Sequence, residues 1–535
     1  CDGRVPSCRA CIVSNSECKY LARGAGLRSR FRELESDYNS MRRAAGCTDK
    51  IHHEACSSAD NEPMRRWLED LRRRSQRTVV AAVSAKISPP VLPVSLWTGV
   101  SGDDVFLTRL LTLFWTWAPT LGGIVNRDHF LAGLCAANGS MAVEDESGCS
   151  RLLVNAILAL SAACLDETDM GMNTLCSRFA DEAMGQVKSN QDSLITRLRG
   201  VAILTVYESA FRPGSETATW LLGTFYELRD AYRQSEMTRD MATSFDMLAF
   251  QLYLVSLSSS TPVRFAMLDG PNVIEAITPC DALWSPYAVS DQPRLSYCKE
   301  QMRAERGLVQ LAMELSPVMD SDRTSAVPDY AGAKALYGRL LAWHESLMLE
   351  FQGQCSLIPA WLFLSLTYHV VGIKLLEPFR GLSFLDFDGG MPASALIRYH
   401  SESIVSALSH FKTAYDKCHD FWLLHACHAA VSSLLVLNYG RGGHGSSHTE
   451  ALTVGCNLLC DLGTTMPLAR NMCRDLLVAY GTLPIPSIVR RYLNRGRALS
   501  MVGHISNVAI VRGGEDSAAG ERWDVTFGDT IHRIV

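Results

Sequence analysis

The sequence predicts an all-α fold for most of the chain, on three observations. Apolar residues recur with a helical period from Leu96 to about Arg497. Residues that favour helix N-termini precede the periodic segments, as Ser-Gly-Asp-Asp does at 101–104. No convincing series of alternating apolar and polar residues indicates a sheet, and no repeat array is evident. We therefore expect a large helical body over residues 96–510.

The first helix of this body is predicted directly after residues 101–104. Residues 151–165 are apolar nearly all round, as a central buried helix would be. Further helices are predicted over residues 170–189, 191–210, 217–234, 239–256, 296–315, 328–352, 356–377, 393–417, 419–438, 449–463 and 466–480. Residues 511–535, which are Gly-rich and acidic with Trp523, Val525 and Phe527 interspersed, are expected to form a disordered tail.

Composition and charge narrow the class of protein. The chain has 535 residues, of which 47% are hydrophobic and 20% charged, as in soluble globular proteins. Its formal net charge is −5, but residues 1–95 hold 17 Lys and Arg against 11 Asp and Glu. A basic arm on an acidic body favours an anionic partner such as nucleic acid, although a solvated linker is an equal alternative.

One apolar stretch, residues 355–373, is about long enough to span a membrane. Pro359 and His369 interrupt it, and a charged segment follows at once. We expect a buried core helix here and no membrane partner.

The chain has 18 cysteines. Outside the first eighteen residues they lie mostly singly in apolar helical patterns, where a free thiol behaves as a small buried hydrophobe. This placement favours a reducing compartment over a secreted, disulfide-bonded protein. The examples are Cys135, Cys164, Cys355, Cys427 and Cys460.

Residues 27–43 are predicted to form an amphipathic helix with a heptad seam, which favours a coiled-coil dimer over a single helix packed on the body. The seam residues are Leu27, Phe31, Leu34, Tyr38 and Met41. Residues 44–95 have the composition of a flexible linker. The Arg-rich segment 64–77 within it fits a nuclear import signal, a phosphate contact or a plain surface helix.

Four cysteines open the chain at Cys1, Cys8, Cys11 and Cys18. Thiolates two residues apart, as at Cys8 and Cys11, can bind one metal ion, and zinc accepts four tetrahedral sulfurs. Zinc binding would also supply folding free energy that so short a polar segment cannot obtain from a core. A disulfide knot is the weaker alternative.

This spacing, with Asp2, Gly3 and Pro6, resembles the second half of the fungal binuclear zinc cluster, Zn2Cys6. The resemblance implies two Zn²⁺ ions per complete cluster, bound by six cysteines. Cys1, Cys8, Cys11 and Cys18 match its third to sixth ligands, with Cys8 bridging the two metals. The first Cys-x2-Cys pair and the basic helix that contacts bases are absent. We therefore expect a chain truncated inside the motif, whose full-length form binds zinc and double-stranded DNA.

In that family a linker and a coiled coil follow the sixth cysteine. Lys19, Arg23 and Arg28 stand in the corresponding linker, so the resemblance implies that they contact phosphates, which gives affinity without sequence information. It also implies a homodimer on paired CGG-like half-sites.

The helical body resembles the fungal-specific transcription factor domain, also called the middle homology region. Residues 110–117, 126–130, 151–161 and 366–379 carry the likeness, with Glu377 where Arg is usual. The Gly-Leu-His ending of the helix after Trp220 is replaced by Tyr-Arg-Gln-Ser-Glu at 232–236. That region is linked to regulation in the family.

Candidate catalytic or metal sites in the body are weak. His425 and His428 lie one helical turn apart in an apolar segment, which indicates a packed core pair. Cys456 and Cys460 are also one turn apart, and residues 442–448 lack a Gly-x-Ser-x-Gly elbow. No phosphate-binding loop is present. We expect no enzyme activity.

These patterns predict a nuclear, DNA-binding regulator of RNA polymerase II transcription that contacts the transcription machinery. The predicted segments are a partial cluster (1–20), a basic linker and coiled coil (21–43), a flexible linker (44–95), the helical domain (96–510) and the tail (511–535). Two alternatives remain: a helical regulatory or scaffold protein that has lost its DNA-reading module, and a membrane-associated enzyme using residues 355–373.

Overall fold

The computed structural model describes residues 91–136, 148–164, 170–189, 192–233, 239–256, 283–286, 294–296, 298–320, 329–351, 358–382, 385–388, 390–415, 420–439, 449–505, 510–512, 523–527 and 530–533. The predictions of a zinc cluster, basic linker and coiled coil fall on residues 1–43 and lie outside this part of the chain. The described body is built from α-helices, which confirms the predicted all-α fold class.

The helices of the described chain follow one another in this order: α1 (Asp104–Trp117), α2 (Pro119–Ile124), α3 (Arg127–Ala136), α4 (Arg151–Ala163), α5 (Met170–Ser189), α6 (Leu194–Phe211), α7 (Glu216–Arg233), α8 (Arg239–Ser256), α9 (Cys298–Asp320), α10 (Tyr330–Phe351), α11 (Pro359–Leu376), α12 (Ala393–Ala414), α13 (Phe421–Tyr439), α14 (Thr449–Leu462), α15 (Pro467–Tyr480) and α16 (Ser487–Ile505). Short 3₁₀ helices occupy Val94–Trp97 and Glu377–Phe379.

Local sequence explains where several helices begin. Asp103 caps α1, since its carboxylate accepts hydrogen bonds from the backbone N–H groups of Val105 and Phe106, at 3.0 Å each. Ser150 caps α4 in the same way. Helices α2, α11 and α15 begin with proline, which lacks the N–H group that a first helical turn leaves unpaired.

Helix α4 is the centre of the first half of the body. All residues from Leu152 to Ala162 are buried, as the uniformly apolar sequence predicts, and the helix packs against α1, α5 and α6. Gly200 of α6 permits this packing, because a Cβ atom there would lie 2.5 Å from Cγ of Leu152. The buried Asn155 donates to the Trp97 carbonyl oxygen at 3.1 Å and so fixes the 3₁₀ helix against α4.

Helices α11 and α13 form the centre of the second half. The ranges Pro359–Phe379 and Phe421–Tyr439 are long and apolar enough to cross a membrane, and 83% and 72% of their most apolar windows are buried inside the protein. Helix α11 packs against α9, α10 and α13. The prediction of a buried core helix is therefore confirmed over residues 359–373.

A tryptophan from a short strand joins the two halves. Strand β1 (Leu283–Trp284) pairs antiparallel with β2 (Arg294–Leu295). The indole N–H of Trp284 donates to the carbonyl oxygen of Thr116 at 3.0 Å. Its ring meets Trp117 and Tyr415 edge to face, with centroids 5.6 and 5.7 Å apart. This cluster ties the end of α1 to the end of α12.

Three further strands lie near the C-terminus: β3 (Ile510–Arg512), β4 (Trp523–Phe527) and β5 (Thr530–Arg533). They form an antiparallel sheet in that order, with Asp524 opposite Arg533. This differs from the disordered tail that composition predicts for 511–535. The physical reason is the alternation of apolar and polar residues in Trp523–Phe527, which is the period of a strand.

The chain divides into two compact units. The described residues of one fall within Ile87–Pro378 and Ser394–Val535, and those of the other fall within Phe379–Ala393. The Phe379 and Phe387 rings contact each other there, with centroids 5.2 Å apart. Gly390 adopts a positive φ of 87° and its N–H donates to the Asp386 carboxylate at 2.8 Å.

Candidate functional site

The residues that the sequence analysis selects for zinc, DNA and dimer contacts all lie outside the described part of the chain. They are Cys1, Cys8, Cys11, Cys18, Lys19, Arg23, Leu27, Arg28, Phe31, Leu34, Tyr38 and Met41. Their roles remain predictions.

The structure instead reveals a buried polar cluster that joins α10, α11 and α12. His369 of α11 and His400 of α12 face each other, with their Nδ1 atoms 2.9 Å apart. On its other side, Nε2 of His400 lies 3.1 Å from the hydroxyl oxygen of Tyr337 of α10. His400 and Tyr337 are completely buried and His369 is 6% exposed. One imidazole thus connects two other polar groups inside the core.

The positions of the ring protons determine which group donates in each of these two hydrogen bonds. A bond between two ring nitrogens needs one donor and one acceptor, so only one of the two Nδ1 atoms carries a proton. Either His400 donates to His369 and accepts from Tyr337, or it accepts from His369 and donates to Tyr337. With a single proton on each ring, both arrangements are electrically neutral.

The surroundings favour the same neutral state. Burial lowers the pKa of His400 to about 3 and that of the half-buried His344 to about 4. The pKa of His369 is lowered well below its usual value, first by burial and then by His400 and His344. Protons on both Nδ1 atoms at once would set donor against donor at the 2.9 Å contact.

Aromatic packing fixes the positions of these rings. His344 stacks on Tyr368, with centroids 4.0 Å apart and planes 8° from parallel. Gly372 of α11 lies directly against His400, because a Cβ atom at that position would be 2.5 Å from Nε2 of the ring. Within the described residues this cluster is therefore an internal polar connection between helices, closed to solvent, rather than a reactive site.

Two of the weaker candidates from the sequence, His425 and His428, are partly buried, whereas residues 442–448 lie outside the described residues. Burial lowers the pKa of His425 to about 3 and that of His428 to about 4, and the His425 ring packs edge-on against Phe421 with centroids 4.3 Å apart. This agrees with a packed core pair. Across the described residues, no group of three or more His, Cys, Asp or Glu side chains is arranged to hold a metal ion.

Most described cysteines behave as the sequence analysis expects. Burial raises the pKa of Cys427 to about 12 and also raises the pKa of Cys456, Cys460 and Cys473. Such thiols are poor nucleophiles. Cys135 differs from the prediction, because it lies exposed at the end of α3.

A buried ion pair joins α7 to α8. Arg229 and Asp246 are both 1% exposed, and Nη2 of the arginine lies 3.3 Å from Oδ1 of the aspartate. The Arg229 guanidinium also lies over the Tyr226 ring, 5.8 Å from its centroid. Sequence reasoning missed this pair because neither residue has a local motif.

Part of the chain is similar in sequence to the notoamide biosynthesis transcriptional activator notL' of Aspergillus versicolor. The two are 27% identical over 179 residues, which is 31% of this chain and 27% of that protein. The match thus spans about a quarter of the relative's length. That protein is a transcriptional activator and not an enzyme, which agrees with the absence of enzyme activity expected from the sequence. The similarity supports the resemblance to fungal transcription factors.

No protein-family model matches the chain. No solved structure is significantly similar to it.

Proposed function

We propose that the chain is a transcription regulator of the fungal zinc-cluster type. The observation that carries the proposal is its similarity to a fungal transcriptional activator. The all-α body and the cysteine spacing at residues 1–18 support it, because that combination is what the resemblance to the family implies.

Zinc and DNA binding belong to this proposal. Cys1, Cys8, Cys11 and Cys18 provide four of the six thiolates that a cluster of two Zn²⁺ ions requires. A complete cluster places a short helix in the major groove at a CGG-like half-site, and Lys19, Arg23 and Arg28 contact phosphates beside it. The regulator acts in the nucleus and contacts the transcription machinery.

Dimerisation completes the proposed mechanism. The heptad seam places Leu27, Phe31, Leu34, Tyr38 and Met41 on one side of a helix, where they pack against the same residues of a second copy. Two clusters then bind the two half-sites of one DNA element.

Tethering the whole chain to DNA tests the regulatory function directly. The chain is fused to a heterologous DNA-binding domain in a fungal host, and transcription is measured from a reporter that carries the matching site. We expect a several-fold change in transcription relative to the DNA-binding domain alone. An unchanged reporter at equal protein level would contradict the proposal and favour the scaffold alternative.

Metal analysis tests the cluster. We extend the chain at its N-terminus with a Cys-x2-Cys segment and basic helix of the family spacing, and expect two zinc ions per chain and binding to paired CGG sites. Cys8→Ser should remove both activities, since Cys8 is the bridging ligand that remains. The exposed Cys135→Ser is the matched control, and zinc binding lost equally in both variants would refute the assignment.

Mass measurement in solution tests the dimer. Phe31→Asp with Leu34→Asp places charges in the heptad seam and should yield a monomer. Ser29→Asp with Ser36→Asp adds the same charge at the outer heptad positions and should leave the dimer intact. A dimer that survives the seam changes would remove the coiled coil from the mechanism.

A further inference from the structure

Helix α16 (Ser487–Ile505) contains no acidic residue and carries Arg490, Arg491, Arg495 and Arg497. All four arginines are exposed, while Val489, Leu493 and Gly496 are buried. With 100° between successive residues, Arg491 and Arg495 lie opposite this buried stripe, and Arg490 and Arg497 lie beside each other on one flank of it. We call these four side chains the arginine face.

The arginine face is a local excess of positive charge on a negative chain. Helices α15 and α16 together hold six arginines and a single acidic residue, Asp475, whereas the whole chain has a net charge of −5. Asp475 itself pairs with Arg474 at 3.4 Å. A potential of this kind attracts anions.

Within the described residues, the four guanidinium groups of this face form few polar contacts. Among the described residues, no carboxylate pairs with any of them within 4.0 Å. The contact given for Arg490 is a 3.3 Å hydrogen bond to the carbonyl oxygen of Leu483. Their hydrogen-bonding capacity therefore remains largely available to a ligand.

The face is held in place by close packing beneath it. Helices α15 and α16 pack against each other, and α16 also packs on α14. A Cβ atom at Gly496 would lie 2.7 Å from Sγ of the buried Cys473, so the two helices touch at this point. A fixed backbone reduces the entropy lost when the arginines bind a partner.

We propose that the arginine face of α16 binds the phosphates of duplex DNA without reading its sequence. Guanidinium groups match phosphate geometry with paired hydrogen bonds. From Arg490 to Arg497 the helix rises about 10.5 Å, comparable to the rise of about three nucleotides along one DNA strand.

A polyanionic nucleic acid fits this face better than an acidic peptide does. Peptide partners bind through apolar anchors in pockets. Among the side chains of α16 that the structure describes, the exposed large apolar one is Ile488, which is 36% exposed and lies at the start of the helix. The inference extends the proposed function, since it adds a second DNA contact to the regulator, but it does not depend on the zinc cluster.

The test measures binding of the full chain to a short labelled duplex of arbitrary sequence, with a zinc chelator present, between about 50 and 200 mM salt. Replacing Arg491, Arg495 and Arg497 together by Gln should make the slope of log K against log [salt] less negative by about 2.7, at roughly 0.9 per lost phosphate contact. When the salt rises from about 50 to about 200 mM, the wild-type chain should therefore lose about 40-fold more affinity than the Gln variant.

Two matched variants accompany it. The same three positions changed to Lys should keep the slope, because a point charge still neutralises phosphate. Arg127, Arg151 and Arg178, which are exposed elsewhere on the body, changed together to Gln should leave the slope unchanged. Binding contributed by the basic residues before Leu96 is common to all variants and cancels in the comparison.

Equal slopes for the wild-type chain and the Gln variant would overturn the proposal, and so would a polyglutamate peptide that competes as well as unlabelled duplex. If the triple variant does not fold, Arg491→Gln and Arg497→Gln measured singly should each change the slope by about 0.9. Because the chelator removes any cluster, a negative result here leaves the zinc-cluster proposal standing, and the reverse also holds.

Discussion

The Nδ1 atoms of His369 and His400 lie 2.9 Å apart in the protein interior, so two neutral imidazoles share one proton between α11 and α12. Because Nε2 of His400 also contacts the Tyr337 hydroxyl, one side chain holds three helices in register. Buried polar contacts of this type specify a single packing arrangement, since any shift of a helix leaves a donor or acceptor unpaired.

Adding one methyl group at Gly372 should disturb this arrangement. Gly372→Ala would place a Cβ atom 2.5 Å from Nε2 of His400, and we expect a loss of about 1–3 kcal/mol in the free energy of unfolding. Gly338→Ala is the matched control, because Gly338 is an exposed glycine of α10 with no atom within 4 Å of the added carbon. The control should gain about 0.5–1 kcal/mol. Urea denaturation measures both, and equal shifts would contradict the close contact.

Removing the Tyr337 hydroxyl should leave His400 without a partner on one side. We expect Tyr337→Phe to lower the free energy of unfolding by about 1–3 kcal/mol, the usual effect of an unsatisfied buried polar group. Tyr492→Phe removes the same oxygen from a half-buried ring of α16 and should change stability by a few tenths of a kcal/mol. A Tyr337→Phe protein as stable as the control would show that the hydrogen bond contributes little.

Acid should destabilise the protein through its buried histidines. The pKa of His344 is lowered from 6.5 to about 4 by burial, so between these two pH values the unfolded chain binds a proton that the folded chain does not. Stability therefore falls as the pH is lowered through this window, by about 1.4 kcal/mol per pH unit for a single group.

His344→Phe should remove that share of the pH dependence while keeping a flat ring against Tyr368. The same change at His410, which is exposed on α12, is the matched control. Denaturation curves at several pH values between about 7 and about 4.5, which cover about two pH units of that window, give the slope of the free energy of unfolding against pH. An unchanged slope in His344→Phe would contradict a neutral His344 in the folded protein.

Breaking the buried ion pair at α7 and α8 should be costly. Arg229→Met leaves the Asp246 carboxylate buried without its cation, for which we expect a loss of about 3–5 kcal/mol. Adding Asp246→Leu should restore most of the stability, because both charges are then absent. Arg339→Met removes an arginine from an exposed pair with Glu314 and should have a far smaller effect. Failure of the double variant to recover would show that the pair has further essential contacts.

Much of the helical architecture follows from local sequence. The uniform apolar character of residues 151–165 predicts the burial of α4, and Asp103 predicts the start of α1. Helix α16 is missing from the predicted helices for two reasons. Its apolar stripe, Val489 and Leu493, is narrow and interrupted by four arginines, and a Pro-rich segment precedes it.

The polar interior could not be predicted in the same way. His344, His369 and His400 belong to three helices and share no motif, so only the packing of α10, α11 and α12 brings them together. Sequence patterns with helical periods identify buried faces, but they do not say which two faces meet. His369 stands out in the sequence merely as an interruption of an apolar stretch.

The contact between Gly372 and His400 also constrains how this protein can diverge. Any side chain at position 372 occupies the volume of the imidazole ring, so the two positions cannot change independently. Homologues that carry alanine or serine at 372 should have lost the histidine at 400, and a glycine at 372 should accompany an aromatic ring there. Positions 372 and 400 should therefore covary among homologues.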